Sequence, residues 1–223
     1  MYECHCMRYL HWESLNYKMF LAFRIICKTG PKKLLELFLT RDPAYFDHKE
    51  PYGMEAGCQY GADPYLSLYH LFSNLNKVDH LQNYGLTQEA LLLASVLEKE
   101  TKFFEGISED CKSNFTKFVA TLILHHYGAI TTNPESLDQV MGIEALTLED
   151  FYRDGADVAE LGKIATLTEF SPFGWGIYSL YSLLNHSCYP NVYHVCDFEK
   201  GTVIVATQRA LKSGEILYGN YGR

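Results

Sequence analysis

The densest run of chemically capable side chains is Ser182-Leu183-Leu184-Asn185-His186-Ser187-Cys188-Tyr189-Pro190-Asn191. A carboxamide, an imidazole, a hydroxyl and a thiol follow one another, and a proline closes the run. Such groups are costly to bury unless they pair, so the stretch reads either as a hydrogen-bonded loop with a core cysteine or as a functional loop. A Cys–His hydrolase is the first chemistry to weigh. His186 and Cys188 are two apart, whereas a nucleophile and its base normally meet through the fold rather than along the chain, and the spacing argues against it. His125 and His126, adjacent on an apolar helix, point in different directions and read as packing and surface residues. Cys4, His5, Cys6 and His11 can improvise a metal site, but a frayed terminus is the simpler reading. Cys27, Cys58, Cys111 and Cys196 lack metal spacing and behave as small apolar residues.

The elements that must position these groups change period along the chain. Leu15, Met19, Phe23 and Ile26 mark one face of a helix, stopped at Gly30 with a new start at Pro31. Asp63-Pro64 opens a second stripe of Leu68, Leu71, Phe72 and Leu75. Thr87 begins an apolar helix through Leu97, and Phe115, Phe118, Val119 and Leu122 mark another that closes near Gly128. Residues 41–63 carry turn signals, and residues 132–170 are polar without a clear period. After that, 191–198 alternates and 202–208 is β-branched, with Glu199-Lys200-Gly201 between them, which predicts a hairpin. Lys212-Ser213-Gly214 turns the chain into a third short strand over 215–221. Helices followed by a small antiparallel β unit make an α+β fold.

Composition narrows the function. The chain has 223 residues, 48% hydrophobic and 21% charged, with a formal net charge of −8. That composition suits a globular chain. The charge excludes a nucleic-acid binder working by bulk phosphate attraction and suits a basic partner such as a lysine-rich tail. No apolar run approaches the ~18 residues of a membrane helix. The first residues lack the apolar centre of a signal peptide, so the seven cysteines point to a reducing compartment with free or metal-bound thiols.

Taken in order, Asn185-His186-Ser187-Cys188-x-Pro190-Asn191, the hairpin, Arg209-Ala210-x-x-x-x-Gly214-Glu215-Ile216 and Tyr221-Gly222 resemble the carboxy-terminal half of SET-domain lysine methyltransferases. Gly174-x-Gly176-Ile177-Tyr178 leading to Ser182, and Leu122-x-Leu124-His125-His126 leading to Asn133, are similar to the SET-and-MYND (SMYD) family, in particular its tetratricopeptide-containing branch. The resemblance implies an S-adenosylmethionine-dependent protein-lysine N-methyltransferase. Asn133, Ser182, Asn185 and His186 would bind the cofactor, and Tyr221 would stand beside the transferring methyl group as catalytic and cofactor-binding residue. It also implies that the strand bearing Tyr221 is brought against the Asn185–His186 element.

The same resemblance implies a truncated form. The family's Gly-x-Gly strands, MYND finger and post-SET cysteines have no counterpart in the sequence. Cys4 would be a zinc ligand only with that finger, and Cys188 only with the post-SET cysteines, so zinc is expected to be absent from this chain. Residues 1–62 would be a helical segment following the finger. Residues 63–223 would be the carboxy-terminal part of the SET domain, with a helical insertion at 63–130 and the core at 131–223. The implied partner is a lysine-containing protein, histone or non-histone, with no direct nucleic-acid or membrane partner, in the cytoplasm and/or nucleus. The alternative is a catalytically inactive SET-like interaction module.

The chemistry fits those roles. Lysine's reference pKa of ~10.4 leaves about one amine in a thousand neutral near pH 7.4, and a desolvated channel near a positive sulfur would lower that value. A tyrosine hydroxyl can orient the amine without adding charge. Tyr178, Tyr181, Tyr189, Tyr193 and Tyr218 can line an aromatic channel or be ordinary sheet and core tyrosines.

Overall fold

The computed structural model describes residues 2–6, 16–40, 64–132, 135–141, 169–178, 180–197 and 200–221. The fold is α+β, with helices in the first part and short strands in the second. It divides into two compact units, residues 1–133 and 134–223.

Among the described residues the first unit holds six α-helices: α1 (Tyr2–Cys6), α2 (Tyr17–Thr29), α3 (Pro31–Thr40), α4 (Pro64–Tyr69), α5 (His80–Glu100) and α6 (Glu109–Thr132). Asn16 caps α2 by accepting the Lys18 N–H at 3.0 Å. Gly30, at φ 81°, ends that helix and returns its N–H to the Ile26 carbonyl at 3.1 Å. Positive φ is the conformation glycine adopts without strain, and Pro31 begins α3 as expected.

The core forms where α2 and α5 pack on α6. Phe23, Phe103, Phe115, Ile26, Leu93, Leu97, Leu122 and Ile123 are fully buried. Phe104 and Phe38 meet the Phe115 ring edge-on, with centroids 5.2 and 5.4 Å away. Burying a side chain of this size stabilises by roughly 1.5–3 kcal/mol.

Three sequence expectations need correction. α5 begins at His80, not Thr87, because the Asp79 carboxylate accepts the N–H groups of Leu81 and Gln82, both at 3.0 Å. α4 ends at Tyr69, short of the Leu71–Leu75 stripe; the chain then passes through Asn74 at φ 49° into a 3-10 turn, Leu75–Lys77. Gly128 does not close α6. It lies inside the helix where residues 73–75 cross it, and a Cβ there would stand 2.5 Å from the Ser73 carbonyl oxygen.

The terminal cysteine segment is ordered as well. α1 sets the Tyr2 ring edge-on to Phe103 at 4.9 Å, and Cys6 is fully buried. Burial, with Glu100 nearby, pushes the Cys6 thiol up to about 11.

Among the described residues the second unit contains three two-stranded pairs. β1 (Glu135–Met141) and β2 (Glu169–Gly176) are antiparallel, with a register shift between Leu137 and Asp138. The sequence had shown no period for β1. β4 (Val192–Asp197) and β5 (Thr202–Thr207) form the expected hairpin, Val192 opposite Thr207, with Gly201 at φ 62° in the turn. β3 (Asn185–His186) and β6 (Tyr218–Gly219) pair in parallel. Among the described residues no helix is long and apolar enough to cross a membrane.

Candidate active site

The chain enters the site through a 3-10 turn, Tyr181–Leu183, closed by the Leu184 N–H on the Tyr181 carbonyl at 3.0 Å. β3 then places Asn185 beside Tyr218 and His186 beside Gly219. Past it the chain bends, with the Ser187 hydroxyl accepting the Tyr189 N–H at 3.0 Å. Ser187 also donates its own N–H to the Gly219 carbonyl at 2.9 Å. Proline fixes φ at position 190 and delivers Asn191 to the base of the hairpin.

Asn191 is buried and bonds backbone groups at four points. Its N–H donates to the Tyr218 carbonyl at 3.1 Å, and its carbonyl accepts the Gln208 N–H at 3.0 Å. Its side-chain oxygen accepts the Tyr218 N–H at 2.8 Å, and its amide nitrogen donates to the Ile216 carbonyl at 2.9 Å. Segment 216–218 is thereby held along both the backbone and the side chain of one residue.

Three residues beyond Tyr218's amide, Tyr221 reaches His186. The Tyr221 N–H donates to His186 Nδ1 at 3.2 Å, the two rings lie 5.2 Å apart, and the Tyr221 hydroxyl donates to the Leu184 carbonyl at 2.6 Å. The asparagine–histidine element and Tyr221 therefore share one place, with Asn185, His186 and Tyr221 all exposed.

Because Nδ1 accepts, the neutral His186 ring carries its proton on Nε2. Nε2 lies 3.6 Å from Cys188 Sγ. Although only two residues apart, the pair does meet, because the bend at Ser187 folds the thiol back onto the ring. A general base for the thiol needs a free lone pair on the facing nitrogen, and here that nitrogen holds the proton, so the geometry still argues against a Cys–His hydrolase.

The Arg209-to-Glu215 stretch closes a loop. The Arg209 guanidinium pairs with the Glu215 carboxylate, and Arg209 Nη1 also donates to the Ala210 carbonyl at 3.1 Å. The Lys212 N–H donates to Glu215 at 3.2 Å, and Gly214 sits at φ 84°. The Arg209 hydrogen bond, then that of Lys212, holds the Glu215 carboxyl below its ordinary value. The pair is exposed, so its effect is on loop shape more than on stability.

The tyrosines divide. Tyr181 is committed to His194, hydroxyl to Nδ1 at 3.0 Å with ring centroids 4.7 Å apart. Tyr218 is half-buried on β6 and Tyr178 packs beside Gly176, while Tyr189 is 92% exposed.

A SET domain is the family that matches this sequence, over residues 74–222. The chain belongs to the SET-domain family. The SET match covers about two thirds of the chain and runs through both units. The SET fold is of the protein-lysine methyltransferase type. Comparison with curated proteins and with solved structures returned no match.

Ser182 lies on the 3-10 turn that leads into β3. Asn133 lies outside the described residues, as do His11 and Cys58. Cys4 is an exposed thiol on α1, and Cys111 is exposed rather than apolar packing. Among the described residues no group of three or more His, Cys, Asp or Glu is placed to hold a metal ion.

Sequence reasoning included Asn191 in the motif but gave it no task. The signal was available in its position one residue before a strand, next to proline. The histidine pair divides much as expected, with His126 buried and His125 half-buried, and both are held by hydrogen bonds. His125 Nε2 donates to the Tyr69 carbonyl at 2.8 Å, and His126 Nε2 meets the Tyr65 hydroxyl at 3.2 Å.

The residues present fit S-adenosylmethionine. Among the described residues the Asn185 carboxamide and the Ser182 hydroxyl have no hydrogen-bond partner. Together they offer donors and acceptors, which suits a ligand end bearing both an ammonium and a carboxylate. The Tyr221 face is open to a cationic sulfur. A cleft of about 780 Å³ in the first unit, against Tyr2, His5, Lys99 and Lys102, contains none of these residues.

Proposed function

We propose that this SET-domain protein is an S-adenosylmethionine-dependent protein-lysine N-methyltransferase of the SET-and-MYND type. The observation that carries the reading is the junction of Tyr221 with His186 through the 3.2 Å amide bond. The SMYD assignment is supported by Gly174-x-Gly176-Ile177-Tyr178 ahead of Ser182. When bound, the cofactor supplies an electrophilic methyl on a positive sulfur.

The protein's own residues bind and orient. Asn185 and Ser182 take the amino-acid end, and the backbone at His186 takes the base edge. Asn133 belongs to the same set. Tyr221 has spent its O–H on Leu184, so its oxygen keeps lone pairs that accept an N–H from the substrate amine. A neutral lysine amine that donates one N–H to this acceptor presents its single lone pair in a fixed direction, and such positioning lowers the barrier. Substrates are lysine-containing proteins, histone or non-histone, met in the cytoplasm or nucleus; the net charge of −8 suits a basic tail. Cys188 and Cys4 take zinc only where thiolates from other segments join them.

Calorimetric titration with S-adenosylhomocysteine tests the cofactor site: a saturable heat with a raised thermal midpoint is expected, and neither at millimolar ligand overturns it. A second reading, a SET-like module that binds without turnover, is favoured by the 59% exposure of Tyr221, since a poorly desolvated amine stays protonated. Tyr221→Phe separates the two. A methylating parent whose kcat falls by about 10²-fold or more in the variant rejects the inert module; a parent that binds cofactor without methylating any lysine substrate supports it.

A further inference from the structure

Asn191 is not among the residues assigned to cofactor or substrate, yet its side chain and its backbone together bond at four backbone points of the site. Its carboxamide meets segment 216–218 as a strand edge would, accepting from one N–H and donating to one carbonyl, and its backbone bonds to Tyr218 and Gln208. Two strands of different pairs therefore converge on one residue: the end of β5 through Gln208, and β6 through Tyr218. β6 is a two-residue strand, far too short to hold its own register by pairing with β3 alone. Beyond it Tyr221 is tied down by the His186 and Leu184 bonds alone among those described above, both at exposed groups. The register of 216–218 thus decides whether Tyr221 meets His186.

We infer that Asn191 is a positioning residue: its carboxamide sets the register of Ile216–Tyr218 and so places Tyr221 against His186. Asparagine is required in both halves of its side chain. Aspartate keeps the acceptor for the Tyr218 N–H but turns the Ile216 tether into a contact between two oxygens. Alanine removes both bonds and leaves the Tyr218 N–H and the Ile216 carbonyl without partners. The catalytic consequence rests on the methyltransferase reading; the placement of Tyr221 does not.

The test is amide hydrogen exchange by NMR on the whole chain, comparing parent, Asn191→Ala and Asn191→Asp, with the Val195 and Ile204 amides of the β4–β5 hairpin as internal controls. Asn191→Ala is expected to speed exchange at Tyr218 and Tyr221 by about tenfold or more while the controls stay within about twofold. Asn191→Asp is expected to keep Tyr218 protected and to speed Tyr221. Unchanged exchange at Tyr221 in both variants overturns the inference, as does equal acceleration at the controls, which would mean only that the unit had loosened. Where Asn191→Ala does not fold, the near-isosteric aspartate variant decides alone.

In parallel, methylation kinetics on the aspartate variant are expected to show kcat lowered about tenfold with the peptide KM within about twofold. Loss confined to KM overturns the catalytic consequence. A parent chain with no S-adenosylhomocysteine binding and no turnover defeats the methyltransferase reading alone, because the exchange result still reads the register.

Discussion

At the scale of single residues, the second unit uses polar atoms economically. Tyr221 gives its proton to a carbonyl, His186 accepts an amide on one nitrogen and faces a thiol with the other, and Asn191 satisfies four backbone groups. The first unit contains the opposite case. One carboxylate oxygen of Glu89, midway along α5, is buried without a hydrogen-bond partner among the described residues. Burial raises its pKa, so the ionised form weakens the fold. That penalty is absent below the ordinary carboxyl pKa and grows as pH rises through the raised one. Glu89→Gln is therefore expected to raise the thermal midpoint at pH 7, through a stability gain of less than about 1 kcal/mol given partial exposure, and to match the parent near pH 4. Thermal melts at both values check this; an equal gain at both would show that charge is not the cause.

At the scale of elements, two glycines in helices give opposite expectations. A Cβ at Gly128 would collide with the Ser73 carbonyl at 2.5 Å, whereas at Gly85 on α5 it would meet nothing within 4 Å. Alanine favours a helix by about 1 kcal/mol over glycine, but overpacking against backbone costs about 1–3 kcal/mol. Gly128→Ala should lower the denaturation midpoint and Gly85→Ala should raise it; a rise in both would mean that residues 73–75 yield freely.

These elements also show how far the sequence could be read. The faces of α2 and α6 were legible, because periodicity reports burial directly. So was the β4–β5 hairpin, whose pattern is local. The start of α5 was missed because its signal is a single capping carboxylate, Asp79, eight residues ahead of the apolar run. The end of α4 was missed because its apolar stripe continues while the backbone turns away to cross Gly128. At the site, the residue types were legible from the ordered motifs. Asn191's four bonds and the contact of Cys188 with His186 were not, because both depend on a bend and on a parallel pairing with a distant segment.

At the scale of the whole molecule, three histidines gather in the first unit. Tyr69 stands between His70 and His125, and Tyr65 beside His126, with neighbouring ring centroids 5.5–5.8 Å apart. Desolvation lowers the pKa of all three, that of the fully buried His126 furthest. A depressed histidine stays neutral in the fold while the unfolded chain takes up protons below about 6.5. The stability is complete above that value and declines as pH falls, by about 1.4 kcal/mol per pH unit for each histidine still neutral. Urea denaturation followed by helical circular dichroism is expected to show a lower midpoint at pH 5.5 than at pH 7.5; a flat profile would mean that the cluster opens without unfolding.

The parallel pairing of β3 with β6 has a kinetic corollary. Neighbouring strands that run the same way cannot be joined by a tight turn, and here the whole β4–β5 hairpin fills the connection. A hairpin of this size zips in microseconds, while closing the longer loop must wait for the ends to find each other at an entropic cost. During refolding the hairpin therefore serves as the template, and the corner where Tyr221 meets His186 is among the last parts of its unit to mature.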